Sequence, residues 1–118
     1  MAVTTISAVT FAVRQMARSI TFYEKCGFKL VFGGASAAFS TLQSGEAYVN
    51  LIATPGHRPA WWGRVIFHVD DVDAHFAMIT AAGLSPQGAP ANAPWGERYF
   101  QITDPDGHEL SFAQLIHR

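Results

Sequence analysis

One offset governs this sequence. Moving the chain along itself by 56 residues, residue 8 onto residue 64, lays one alternating segment on another. In Ser7 to Val13, Val9, Phe11 and Val13 face one way and Ala8, Thr10 and Ala12 the other. In Arg64 to Val69, Val65, Phe67 and Val69 oppose Arg64, Ile66 and His68. Period-two alternation of this kind makes half-buried strands. The match runs on without a gap. Met16, Ile20 and Tyr23, at the i, i+4, i+7 spacing of one helix face, fall on Val72, Phe76 and Ile79. Gly27 then falls on Gly83, where a helix would end in a left-handed residue. Over residues 8–28 against 64–84 only four positions are identical, so the weight lies in strand, helix face and terminal glycine keeping one register. Asp70 and Asp71 are good N-caps for the second helix, whereas Arg14-Gln15 gives the first no comparable cap.

After each helix come short strand candidates. They are Phe28–Phe32, Ala37–Leu42 and Tyr48–Ala53 in the first half, and Leu84–Gln87, Arg98–Thr103 and His108–Leu115 in the second. Asp104-Pro105-Asp106-Gly107 separates the last pair and suits a type I turn. The stretch 54–63, with Pro55, Gly56 and Pro59, links the halves. The chain therefore reads as an α+β protein of two tandem β-α-β-β-β modules, 1–53 and 64–118. Neither module buries its helix and sheet alone, so the two are expected to share a sheet or curl around a common cleft.

Composition narrows the function. The chain has 118 residues, 49% of them hydrophobic and only 14% charged, with a formal net charge of −1. Soluble proteins usually carry roughly a quarter charged residues. The spare apolar surface needs a cavity or a subunit interface to cover it. Near-neutrality and just two lysines, Lys25 and Lys29, argue against nucleic acid as a partner. The lone Cys26 allows neither an internal disulfide nor a Cys-based zinc site. The start of the chain, Met1-Ala2-Val3-Thr4-Thr5, has no basic region and no long apolar run, so a membrane anchor or signal peptide is not expected and a cytoplasmic location is.

Tandem β-α-β-β-β units in so short a chain resemble the vicinal oxygen chelate superfamily of glyoxalase I, extradiol dioxygenases and bleomycin-resistance proteins. The run from Pro94 to His108, PWGERYFQITDPDGH, is similar to a motif common there. Ser19 to Tyr23 with Gly27-Phe28 resembles its first-helix signature, and Val69 to Asp73 its second. The resemblance implies a U-shaped sheet, helices outside and a ligand cleft inside, in chains that pair as homodimers. It also implies four cleft positions that usually hold a divalent metal. Here they fall on Ala8, Asn50, Arg64 and Ser111. Alanine has no lone pair, Ser and Asn are weak neutral donors, and a guanidinium is a permanent cation. No metal and no other cofactor is therefore expected, and the pattern is similar to the metal-free, bleomycin-resistance-like branch.

Each candidate has a plain reading beside the functional one. Arg64 either holds an anionic ligand group or pairs with an acidic neighbour such as Glu109. His68, on the same strand face, is either a hydrogen-bonded cavity residue or an acid–base, with Tyr99 or Glu109 as partner. Trp62 and Trp95 are either ligand walls or core caps. Trp61 suits a cap beneath the linker or a dimer contact. Tyr99 and Gln101 alternate with Phe100 and Ile102 and are expected to face the cleft with Asn50 and Ser111. Asp104 and Asp106 read as turn formers, with Arg98 as a partner for that turn. His57 lies in the linker, His75 on the solvent side of its helix, His108 after a turn, and His117 near the end of the chain; no metal-ligand spacing joins them.

Two functions survive. One is a metal-free binding protein that sequesters a small, partly aromatic compound, with Arg64 favouring an anionic one. The other is a metal-independent isomerase or lyase using His68 or Tyr99 as acid–base. Either is expected to work as a homodimer, as the resemblance implies, without nucleic acid or membrane.

Overall fold

The computed structural model describes residues 1–116; His117 lies outside them. The element order is β1 (Ala8–Val13), α1 (Met16–Lys25), β2 (Lys29–Phe32), β3 (Phe39–Ser44), β4 (Ala47–Ala53), β5 (Arg64–His68), α2 (Val72–Ala81), β6 (Ala91–Asn92), β7 (Glu97–Thr103) and β8 (Glu109–Leu115). The chain divides into two compact units, Met1–Arg58 and Pro59–Arg118. Each unit has its own four-stranded mixed sheet, in the orders β1-β4-β3-β2 and β5-β8-β7-β6. The α+β architecture is the one expected.

The offset survives in three dimensions. Adding 56 to the bounds of α1 gives those of α2, and both helices end at a glycine with φ of +106° (Gly27) or +92° (Gly83). Side chains rarely take that backbone, so glycine stops the helix without strain. Asp71 caps α2 by accepting the Ala74 N–H at 3.0 Å, whereas Gln15 gives α1 no side-chain cap.

Alternation then sorts each sheet into two faces. In the first unit, Phe11, Val13, Leu42, Val49 and Leu51 bury against α1, where Tyr23 stacks on Phe11 with centroids 5.7 Å apart. In the second, Phe100, Ile102, Leu110 and Phe112 pack beneath Val72 and Ile79 of α2. Phe112 touches both Phe100 and Phe67, at 5.5 and 5.7 Å. His75 belongs to this cluster, its ring 4.8 Å from that of Phe112, and not to the solvent side of α2.

Two further expectations change. Leu84–Gln87 forms no strand; the Gln87 N–H still bonds the Gln101 carbonyl at 2.9 Å, and the edge strand forms later, at Ala91–Asn92. The β7 edge is met first by one backbone bond and then by a two-residue strand. Arg98 does not serve the Asp104 turn. Its guanidinium reaches Asp73 on α2 at 3.0 Å and Asn92 on β6 at 3.0 Å, and the hydrogen bonds to Asp73 raise its already high pKa. The turn is held by Asp104 itself, whose carboxylate accepts the N–H groups of Asp106 and His108, each at 2.8 Å.

The contrast between the helix starts is testable. Asp71→Ala is expected to cost about 1 kcal/mol in urea unfolding, the usual worth of a side-chain cap, and Gln15→Ala close to nothing. Equal costs would contradict the asymmetry.

Candidate functional site

The second sheet leaves one face uncovered by α2. Register places its side chains on a grid. Arg64 on β5 pairs Glu109 on β8, which pairs Thr103 on β7; Ile66 pairs Ser111, which pairs Gln101; His68 pairs Ala113, which pairs Tyr99; and Leu115 pairs Glu97. Strand order puts β8 in the middle, so its small side chains, Ser111 and Ala113, form the floor. The larger ones of β5 and β7 rise on either side.

Two polar contacts mark the ends of this floor. At one end Arg64 donates to Glu109 Oε1 at 3.1 Å, the register neighbour across one strand gap. At the other, His68 Nε2 meets Glu97 Oε2 at 2.6 Å, across the whole width of β8. The central residue beside His68 is Ala113, and its methyl leaves the long Glu97 side chain room to cross. The other Glu97 oxygen accepts the Trp95 indole N–H at 2.8 Å. Trp95 in turn lies against Tyr99, with ring centroids 5.8 Å apart.

Between the two ends lies a shallow concavity, open to solvent, lined by Arg64, Ile66, Trp95, Glu97, Tyr99, Gln101, Ser111 and Ala113. Five of the eight residues expected to bind ligand are brought together here: Arg64, Trp95, Tyr99, Gln101 and Ser111. His68 sits beside the concavity through Glu97, and its partner is neither Tyr99 nor Glu109 as expected. Trp62 is elsewhere. Its indole donates to the Nδ1 of buried His108 at 2.8 Å, behind the Asp104 turn. Trp61 is exposed and caps nothing in its unit. Asn50 belongs to the first unit and faces away from α1, as the burial of Val49 and Leu51 on either side requires. Its amide is engaged in a row across three strands, accepting from Thr41 at 2.8 Å and donating to Thr10 at 3.3 Å.

Glu97 was not among the expected residues. Parity alone would have found it, because 97, 99 and 101 share a face once the strand begins at Glu97. A strand begun at Arg98 hides it. Among the described residues no group of three or more His, Cys, Asp or Glu is placed to hold a metal ion. Nor is any helix among them long and apolar enough to cross a membrane.

With this geometry in place, comparison with known proteins is informative. The family model of the glyoxalase/bleomycin resistance protein/dioxygenase superfamily matches residues 5–112. The chain belongs to this superfamily. Among solved structures, a bleomycin-binding protein complexed with bleomycin is 27% identical with a TM-score of 0.77, covering 95% of this chain and 98% of its own. A bleomycin resistance determinant encoded on the transposon Tn5 is also 27% identical, with a TM-score of 0.79 over 94% and 98% of the two chains. TioX from Micromonospora sp. ML1 is 24% identical, with a TM-score of 0.77 over 96% and 100%, and shows the shared fold. A search of curated proteins by sequence returned no match.

The Glu97 arrangement makes a spectroscopic prediction. In Glu97→Ala the Trp95 indole proton resonance is expected to move upfield as it loses its acceptor, while that of Trp62, held by His108, stays in place. Movement of both would show that Glu97 supports the unit as a whole and not Trp95 in particular.

Proposed function

We propose that this member of the superfamily binds a small, partly aromatic compound without a metal, in the manner of a drug-sequestering protein, and that the concavity over β8 is where it binds. The observation that carries the reading is the composition of that concavity. Trp95 and Tyr99, their rings tilted 33° to each other, give an aromatic wall, Ser111 and Gln101 give neutral hydrogen-bonding groups on the floor, and charged pairs close the ends. Flat apolar contact with a few placed polar groups is the usual make-up of a small-molecule site. The likeness to a bleomycin-binding protein points to the same class of function. Asn50 and Trp62 have less support as ligand contacts, since the amide of one and the indole N–H of the other are already engaged.

Charge refines the ligand. Of the two readings of Arg64, pairing with Glu109 is the one met, at 3.1 Å, and Glu97 adds a second carboxylate at the other end of the concavity. An anionic ligand group would have to share Arg64 with Glu109. The best ligand is therefore a flat compound with hydrogen-bonding substituents, and an aromatic carboxylate binds well only when Glu109 yields. A metal-independent isomerase or lyase is the second reading, favoured by the contact between His68 and Glu97 beside the concavity. The sparse charge of the chain supports a homodimer, for which light scattering is the test.

Thermal-shift screening of bleomycin, other aromatic antibiotics and aromatic carboxylates tests the binding reading. Trp95→Ala is expected to weaken any stabilising compound at least about tenfold, near 1.4 kcal/mol. For an aromatic carboxylate, Glu109→Gln is expected to tighten binding about tenfold and Arg64→Ala to abolish it. Hits indifferent to Trp95, Ser111 and Arg64 would remove the concavity as the site.

A further inference from the structure

Three side chains that line the concavity, those of Tyr99, Gln101 and Ser111, make no hydrogen bond to another described residue. Tyr99 gives its ring to the wall beside Trp95. Gln101 and Ser111 stand opposite each other on β7 and β8 and still do not bond one another. Ser111 is only 3% exposed, and among the described residues no fully buried side-chain polar atom lacks a partner, so its hydroxyl keeps its opening toward the concavity it lines. The other polar groups along the site are engaged: Arg64 with Glu109, and Trp95 and His68 with the two oxygens of Glu97.

The free carboxamide of Gln101 is unusual in this chain. Those of Gln43, Asn50, Gln87, Asn92 and Gln114 each hold a hydrogen bond, and Gln15, at the exposed start of α1, is the other that does not. In the first unit the amide of Asn50 is closed off by Thr41 and Thr10 on either side. In the row of Gln101 the far position is Ile66, which has no polar group to offer. A half-buried acceptor–donor pair and a buried hydroxyl are thus left side by side on the floor of a ligand site.

We infer that the concavity selects planar heterocycles with a cyclic imide edge, an N–H between two ring carbonyls. This rests on the concavity being the ligand site and names what its ligand carries. A carboxamide offers one acceptor and donors in a single plane. Gln101 Oε1 accepts the imide N–H, Gln101 Nε2 donates to one flanking carbonyl, and Ser111 Oγ donates to the other. Every group in the scheme stays neutral. Directly opposed residues on neighbouring strands have Cβ atoms about 5 Å apart, so one ring edge meets both while its faces lie against Trp95 and Tyr99. Other edges match less well. A carboxylate has only acceptors and faces Gln101 Oε1 without a donor, and an ammonium has only donors and leaves Gln101 Nε2 unanswered. Polar groups shut in without a partner are what give such sites their discrimination.

1,8-Naphthalimide and N-methyl-1,8-naphthalimide share one flat surface and both carbonyls and differ at the single imide N–H. Each is titrated calorimetrically into the whole chain, with the Trp95 indole resonance reporting occupancy of the concavity and that of Trp62 reporting folding. Expected is a preference for the parent imide of at least about tenfold, since sites that hydrogen-bond an N–H reject analogues lacking it. The side-chain NH₂ resonances of Gln101 should move together with that of Trp95. Gln101→Met, close in volume and without the amide, is expected to bring the two compounds within about twofold of each other. Ser111→Ala is expected to weaken both alike, about threefold, because both keep the carbonyl it serves. Where Gln101→Met does not fold, the two compounds on the wild-type chain decide alone. Equal binding of both, with Trp95 responding, would overturn the imide preference and leave the concavity as a binding site. A preference that survives in Gln101→Met would overturn the role of Gln101. If neither compound moves Trp95 the imide inference falls, and the binding reading falls with it only when the thermal-shift compounds leave Trp95 unmoved as well.

Discussion

One carboxylate organises the open face of the second sheet. Glu97 spends one oxygen on Trp95 and the other on His68, and so fixes the aromatic wall and the histidine with a single side chain. Hydrogen bonds to an ionised acceptor are about twice as strong as neutral ones, and stronger again where water is partly excluded. The arrangement depends on what lies beneath. A β8 residue larger than Ala113 would stand in the path of the Glu97 side chain, and a larger floor residue at Ser111 would fill the concavity. The site is therefore built as much from small residues on the central strand as from large ones at its sides.

The duplicated plan uses the same geometry differently in each unit. In both, one face of the sheet is sealed by a helix and the other face is not. The first unit lays a polar row, Thr10–Asn50–Thr41, across its open face, with each amide group of Asn50 engaged. The corresponding row of the second unit, Ile66–Ser111–Gln101, has an apolar member and a small one in its place and leaves a hollow above. Identical folding rules thus give one face with its polar groups paired and one with a hollow.

How much of this was legible in the sequence depended on which physical signal carried it. Both helices and seven of the eight strands follow from periodicity, because burial of one face is a local pattern written in every second or every third and fourth residue. The exception, the edge strand at Ala91–Asn92, is two residues long and has no periodicity to read. Facing was equally legible: Arg64, Tyr99, Gln101 and Ser111 share a face because parity leaves no choice. Partners were not. His68 finds Glu97 across two strand gaps, Arg98 finds Asp73 on a helix, and His75 finds Phe112. Each pairing depends on how elements pack, which spacing along the chain does not encode. A one-residue error in the start of β7 was enough to hide Glu97, since a strand boundary decides whether parity applies at all.

The central claim is that ligand sits on the open face of the second sheet, over Ser111 and Ala113 and against Trp95. A crystal structure of the chain with the strongest compound from the thermal-shift screen tests it most directly. The account predicts an aromatic ring along Trp95 and Tyr99 with polar groups toward Ser111 and Gln101. A compound seated instead only on the Thr10–Asn50–Thr41 face of the first unit would contradict it.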